Sequence, residues 1–107
     1  MRKRQKTSGS DTYQNYNGFV LRVREEDLVR VDLHHKVTTE VRSAILRGVS
    51  DAHIKSVSII EIIHGYLRGS VLKTAVQKEL SSLQKTNTVA NFYLSPRNPG
   101  STIVHLT

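Results

Sequence analysis

The chain has no cysteine among its 107 residues. Disulfide bridges and zinc sites built on thiolates are therefore excluded, and the composition agrees with a reducing, cytoplasmic setting. No apolar run approaches the ~20 residues that a membrane-spanning helix needs. The basic N-terminus is not followed by the apolar segment of a secretory signal. Internal repeats and low-complexity segments are absent too. Acidic residues are scarce: 9 Asp and Glu stand against 16 Lys and Arg, a formal charge of +7. Arg2, Lys3, Arg4 and Lys6 supply much of that excess from the first six positions, and the remainder is only mildly basic. Such a charge favours a polyanionic partner, nucleic acid before an acidic membrane surface.

The length suits one domain with a tail. A chain of this size buries roughly two-thirds of its unfolded surface, enough for a modest core. Residues 1–27 read as a basic, mostly disordered extension. Residues 1–18 in particular are polar and show no apolar period, and Phe19 to Val23 suggests at most a short strand or docked segment. The body is 28–107. From Leu28 to Leu33 apolar residues alternate with Arg30, Asp32 and His34, the period of a strand with one polar face. Val41, Ala44, Ile45, Val49 and Ala52 then recur at helical spacing behind a cap at Thr38 or Thr39, with Gly48 as a point of close packing. Val57 to Ile63 is a nearly continuous apolar, β-branched run, expected to be a central strand. A second helix follows from Ser70 to Lys85, then strands over Val89–Leu94 and Thr102–Leu106, separated by the turn Pro96-Arg97-Asn98-Pro99-Gly100.

This order, β-α-β-α-β-β, predicts a two-layer α/β sandwich. Two crossovers give parallel strands early, the last turn gives a hairpin, and right-handed crossovers place both helices on one face of a mixed sheet. Asp32 and His34 then lie at the carboxyl end of the first strand and His64 at the end of the second. That is the edge where open α/β sheets place ligands. The loop His64-Gly65-Tyr66-Leu67-Arg68-Gly69 leads into the second helix, whose N-terminus favours an anion. Strand alternation sends His35 to the opposite face from His34, and it is set aside here.

The ordered set Val31-Asp32-Leu33-His34, Ile62-Ile63-His64-Gly65 and Asn98-Pro99-Gly100-Ser101-Thr102-Ile103-Val104 resembles the small MutS-related (Smr) domain family, in a short stand-alone form. The resemblance spans about residues 28–107. It implies a sandwich like the C-terminal domain of translation initiation factor three, nucleic-acid binding and, in several branches, endonuclease activity on DNA or RNA. It links Asp32 and His34 to cleavage, and places His64 and Gly65 in the histidine-glycine loop. Where the family has glycine after Asp-Leu-His, this chain has His35. The second glycine of the loop is displaced by two positions, to Gly69, and Pro99-Gly100 stands in place of a glycine pair.

Two readings follow. In the first the protein is an endonuclease with Asp32, His34 and His64 as catalytic residues. Asp32 orients His34 as general base on water or a ribose 2′-hydroxyl, and His64 protonates the leaving oxygen; histidine suits both tasks near neutrality. Lys36, Gly65, Tyr66, Arg68, Gly69, Lys73 and Arg97 would hold the nucleic acid. A divalent metal on Asp32, His34 and His64 is chemically compatible but not required. In the second reading the domain binds nucleic acid, or a ribosome or repair-protein partner, without cleaving.

Overall fold

The computed structural model describes residues 11–16, 19–24, 27–65 and 70–107. Its elements are β1 (Asp11–Tyr16), β2 (Phe19–Arg24), β3 (Leu28–Asp32), α1 (Val41–Lys55), β4 (Ile59–Ile63), α2 (Ser70–Lys85), β5 (Val89–Leu94) and β6 (Ser101–Leu106), with a 3₁₀ turn over Thr38–Glu40 leading into α1. β3 to β6 form one sheet in the order β3-β4-β6-β5. β3 and β4 are parallel, and β6 runs antiparallel to both β4 and β5. The expected two-layer α/β sandwich with a mixed sheet is therefore present.

Alternation decides which side chains meet the helices. Val29 and Val31 of β3, Ile60 and Ile62 of β4, and Val104 and Leu106 of β6 point into one core with Val41, Ile45, Val49 and Ala52 of α1 and Leu72, Val76 and Leu80 of α2. Both helices thus cover the same face. Arg30 and Asp32 point the other way and are exposed. On that helix-free face Arg30 Nε donates to Glu61 Oε1 at 2.9 Å, tying β3 to β4. His105 is half-buried there, its Nε2 3.0 Å from the Tyr93 hydroxyl.

Gly48 sets how closely α1 lies on β3. A Cβ at that position would sit 2.5 Å from Val31 Cγ2, so only glycine allows this approach. Both helices end the same way. Ser56 adopts a left-handed conformation (φ 57°), with Val57 N–H donating to Ala52 O at 2.9 Å. Asn87 (φ 65°) and the bond from Thr88 N–H to Leu83 O, also 2.9 Å, repeat the motif after α2. Each satisfies carbonyls that the helix would otherwise strand.

The N-terminal region departs from expectation. Asp11–Tyr16 was expected to lack regular structure, but it pairs antiparallel with Phe19–Arg24 in a separate two-stranded sheet. The sequence joining the strands is Asn17-Gly18, the dipeptide most favoured in two-residue hairpins, and this local signal outweighs the missing apolar period. Residues 1–10, with the basic cluster, lie outside the described residues.

Candidate active site

The register aligns Asp32 with Ile63, and Ile63 with Ser101, so the exits of β3 and β4 and the entry to β6 share one edge. Three backbone bonds fasten the loops there. Leu33 N–H donates to Ile63 O at 2.7 Å, and His64 and Gly65 N–H both donate to Gly100 O, at 2.9 and 3.0 Å. Gly100 is presented by its own loop: Asn98 Oδ1 accepts its N–H at 2.9 Å, and the Asn98 side-chain amide donates to Ser101 Oγ at 3.1 Å. The three motifs that are far apart in sequence are thus joined by backbone geometry. Gly65 has φ +95°, a left-handed value that favours glycine, and a Cβ there would also meet His34 Cβ at 3.6 Å.

Asp32 and His34 form the expected pair. Asp32 Oδ1 accepts the backbone N–H of His34 at 3.1 Å and also accepts from its ring Nδ1. That hydrogen bond holds the Asp32 carboxyl below its usual range, with burial opposing and the charges of His34 and His35 adding to the drop. The bond fixes the ring: Nδ1 carries the proton toward Asp32, and Nε2 is left as the free basic nitrogen. Both side chains remain open to solvent, His34 at 43% and Asp32 at 56%.

His64 is placed differently from the role expected of it. It is 1% exposed. Its Nδ1–H donates to Gly65 O at 3.1 Å, and its Nε2 accepts from the Thr102 hydroxyl at 3.0 Å. Burial pushes its pKa below the ordinary histidine value; the Gly65 hydrogen bond opposes this and the Lys73 charge adds to it. Both nitrogens are occupied inside the protein, so the ring fastens β4 to β6 and does not present a proton at the surface. For the same reason Asp32, His34 and His64 do not form a chelating trio. Among the described residues no three His, Asp or Glu side chains are grouped to hold a metal ion. The Gly65 N–H, expected to receive an anion, is already given to Gly100.

The expected binding residues divide three ways. Lys36 lies beside the pair. Lys73 is in the first turn of α2 and Arg97 is exposed in the β5–β6 loop. Tyr66, Arg68 and Gly69 lie outside the described residues. The structure adds Arg47, which the sequence does not single out. It lines an open cleft of about 180 Å³ between α1 and β3 with Arg30, Asp32, Lys36 and Asp51. Asp32 of the pair and Gly48 both line this cleft. Thr102 was missed as well; its one signal is a hydroxyl inside the apolar run from Ser101 to Leu106.

No curated protein matches this chain. The crystal structure of the Smr domain of Thermus thermophilus MutS2 superposes with a TM-score of 0.63 and 23% identity, covering 74% of this chain and 98% of that one. At that identity the likeness concerns the fold. The Smr domain family model matches residues 31–107, the stretch that runs from the β3 exit through the final strand, and on that match the chain belongs to the Smr domain family.

Proposed function

We propose that this protein is a nucleic-acid-binding endonuclease that cuts phosphodiester bonds at the exit of β3. The observation that carries this reading is the exposed Asp32–His34 pair opening directly beside a cleft lined by Lys36 and Arg47. Asp32 holds the imidazole in one tautomer, and His34 Nε2 is a base within reach of solvent and substrate. Lys36 and Arg47 make no ion pair among the described residues, so they meet a phosphate without first giving up a partner. His64 supports this edge from behind. It connects the loop after β4 to Thr102 and so fixes the turn against which His34 packs.

The test is cleavage of labelled structured RNA and DNA, with and without EDTA, by wild type and His34→Ala. Loss of cutting in the variant supports the assignment, and cutting at the wild-type rate removes it. The EDTA arm decides whether a divalent ion takes part.

A second reading is a binding module without catalysis. It is favoured by the internal use of the His64 and Gly65 N–H groups, which leaves fewer donors for a developing charge. Retained binding by wild type with no cutting of any substrate selects it. In that case a ribosome or repair-protein partner is sought by pull-down, and capture that survives nuclease treatment separates a protein contact from a nucleic-acid one.

A further inference from the structure

His35 was set aside because strand alternation points it away from His34. The alternation stops one residue too early for that to hold. β3 ends at Asp32, and Lys36 N–H donates to Leu33 O at 2.9 Å, closing a turn with His34 and His35 at its centre. The two rings come together on the same side, with centroids 3.8 Å apart and planes inclined by 43°. His35 is exposed, and its ring has no hydrogen-bond partner among the described residues. Asp32 and Lys36 are its charged neighbours along the turn. Asp32 is committed to His34.

An acid–base cut at a phosphodiester needs two groups, one to take a proton and one to give it. His34 is fixed as the base by Asp32, while His64 is sealed behind the edge. The remaining imidazole at the site is His35.

Resting on the endonuclease reading above, with a ribose 2′-hydroxyl as the attacking group, we propose that His35 is the proton donor to the leaving oxygen. His34 Nε2 takes the proton of a ribose 2′-hydroxyl. O2′ bonds to phosphorus, the bond from phosphorus to O5′ breaks, and its electron pair leaves on O5′. Protonated His35 gives its proton to O5′. The products are a 2′,3′-cyclic phosphate and a 5′-hydroxyl. His34 is left protonated and His35 neutral, and exchange with water resets both. The step is balanced without an oxidant, a reductant or a consumed water. Lys36, next in the turn, and Arg47 across the cleft hold the non-bridging oxygens. The second histidine is a feature of this chain, standing where the family pattern has glycine.

The experiment uses the full chain with three oligonucleotides. One is all-ribose, one carries a single 2′-deoxy sugar at the mapped cut, and one has sulfur in place of the 5′ bridging oxygen at the cut. Sulfur leaves without protonation, so it bypasses a missing proton donor. His35→Asn is expected to lower cleavage of the all-ribose oligonucleotide by about 10²–10⁴-fold, and of the sulfur substrate by less than about tenfold. Wild type is expected to leave cyclic phosphate ends and to spare the deoxy position. An equal loss on oxygen and sulfur substrates would reduce His35 to a positioning residue and overturn the proposal. Cutting at the deoxy position would overturn the step in which His35 acts. Activity that His34→Ala abolishes and His35→Asn leaves intact overturns the His35 role alone. A wild type inactive on every substrate overturns the endonuclease reading and this one with it. Since His35 is exposed, an unchanged melting temperature checks that the variant is folded.

Discussion

Two histidines leave adjacent parallel strands of one sheet, and the protein uses them in opposite ways. His34 follows β3, an edge strand; its ring is open to solvent and Asp32 engages one nitrogen. His64 follows β4, an inner strand; it is buried, with both nitrogens occupied by Gly65 and Thr102. Each follows an apolar strand, His34 within the turn that ends β3 and His64 directly after β4. What separates them is the neighbour across the sheet. β4 has β6 beside it, which brings the Thr102 hydroxyl over the ring. Among the described residues β3 has no strand on its outer side within its sheet, so the ring that follows it stays open to solvent, and its partner Asp32 lines the cleft. Residue type supplies the same chemistry twice, and position in the sheet decides which copy is open to solvent.

Exchanging the losses tests this contrast most strongly. His34→Ala should lower cleavage by about 10²–10⁴-fold and change stability by no more than about 0.5 kcal/mol. His64→Ala should do the reverse in kind. It strands the Thr102 hydroxyl and opens a cavity at the strand junction, a loss of about 3 kcal/mol in stability from the two effects together. Denaturant titration and cleavage assays on both variants decide the matter. If His64→Ala were fully stable yet inactive, the buried ring would have to be given a chemical role after all.

A smaller effect is expected behind the exposed pair. Gly48→Ala places a methyl group 2.5 Å from Val31 Cγ2, and Val31 immediately precedes Asp32. Overpacking of a stiff β-branched neighbour costs about 1–3 kcal/mol, against a gain of up to about 1 kcal/mol in helix propensity. The net change should be destabilising. It should also shift Asp32 and reduce cleavage more than it would disturb the His64 side. A variant more stable than wild type would mean that α1 and β3 can separate without strain.

Titration distinguishes the two exits by pH. Burial depresses the folded-state pKa of His64, and His105 shifts the same way for the same reason. In the unfolded chain both take up protons as pH falls through about 6.5. The unfolded state then binds more protons than the folded one, so stability falls as pH drops below that value, until the depressed folded pKa is reached. Above it the contribution is complete. Asp32 behaves as a lowered carboxylate, and its contribution is lost only as pH falls below the ordinary aspartate value of about 3.9. Melting temperatures between pH 7.5 and 5, values chosen about one unit or more to either side of that histidine value, should decline for wild type. The decline should be shallower for His64→Asn. Equal slopes would show that the buried ring accepts a proton without penalty.

Much of this architecture was legible in the sequence because period and breaker chemistry are local. The alternation of Val29, Val31 and Leu33, the spacing of Val41, Ile45, Val49 and Ala52, and the Pro96–Gly100 turn each report their own element. The Asp32–His34 pair was legible for the same reason, two residues apart on one face. What escaped depended on distant partners or on where a local pattern stops. Thr102 reaches His64 across 38 positions, and Gly100 takes two N–H groups from a loop far upstream. His35 was assigned to the wrong face because the alternation of β3 was extended beyond Asp32, where a turn replaces it. Arg47 had no signal of its own, since a cation on an exposed helix face looks the same whether or not a cleft lies beside it. The Asn17-Gly18 dipeptide was a local signal, overlooked because its flanking segments lack a long apolar stretch.

The smallest effect concerns binding at the open exit. If the cleft beside Asp32 receives phosphate, then Lys36 and Arg47 each displace counterions when nucleic acid binds. Replacing either by alanine should lower the slope of log affinity against log salt by about 1, and nearly equally for every sequence tested. Lys55, at the far end of α1, serves as the control, since it is a cation of the same helix outside the cleft. Lys55→Ala should leave the slope unchanged. A drop from Lys55 equal to that from Lys36 or Arg47 would mean that the protein's charge attracts nucleic acid diffusely. The contrast between the two strand exits would then describe catalysis alone and say nothing of where the substrate is held.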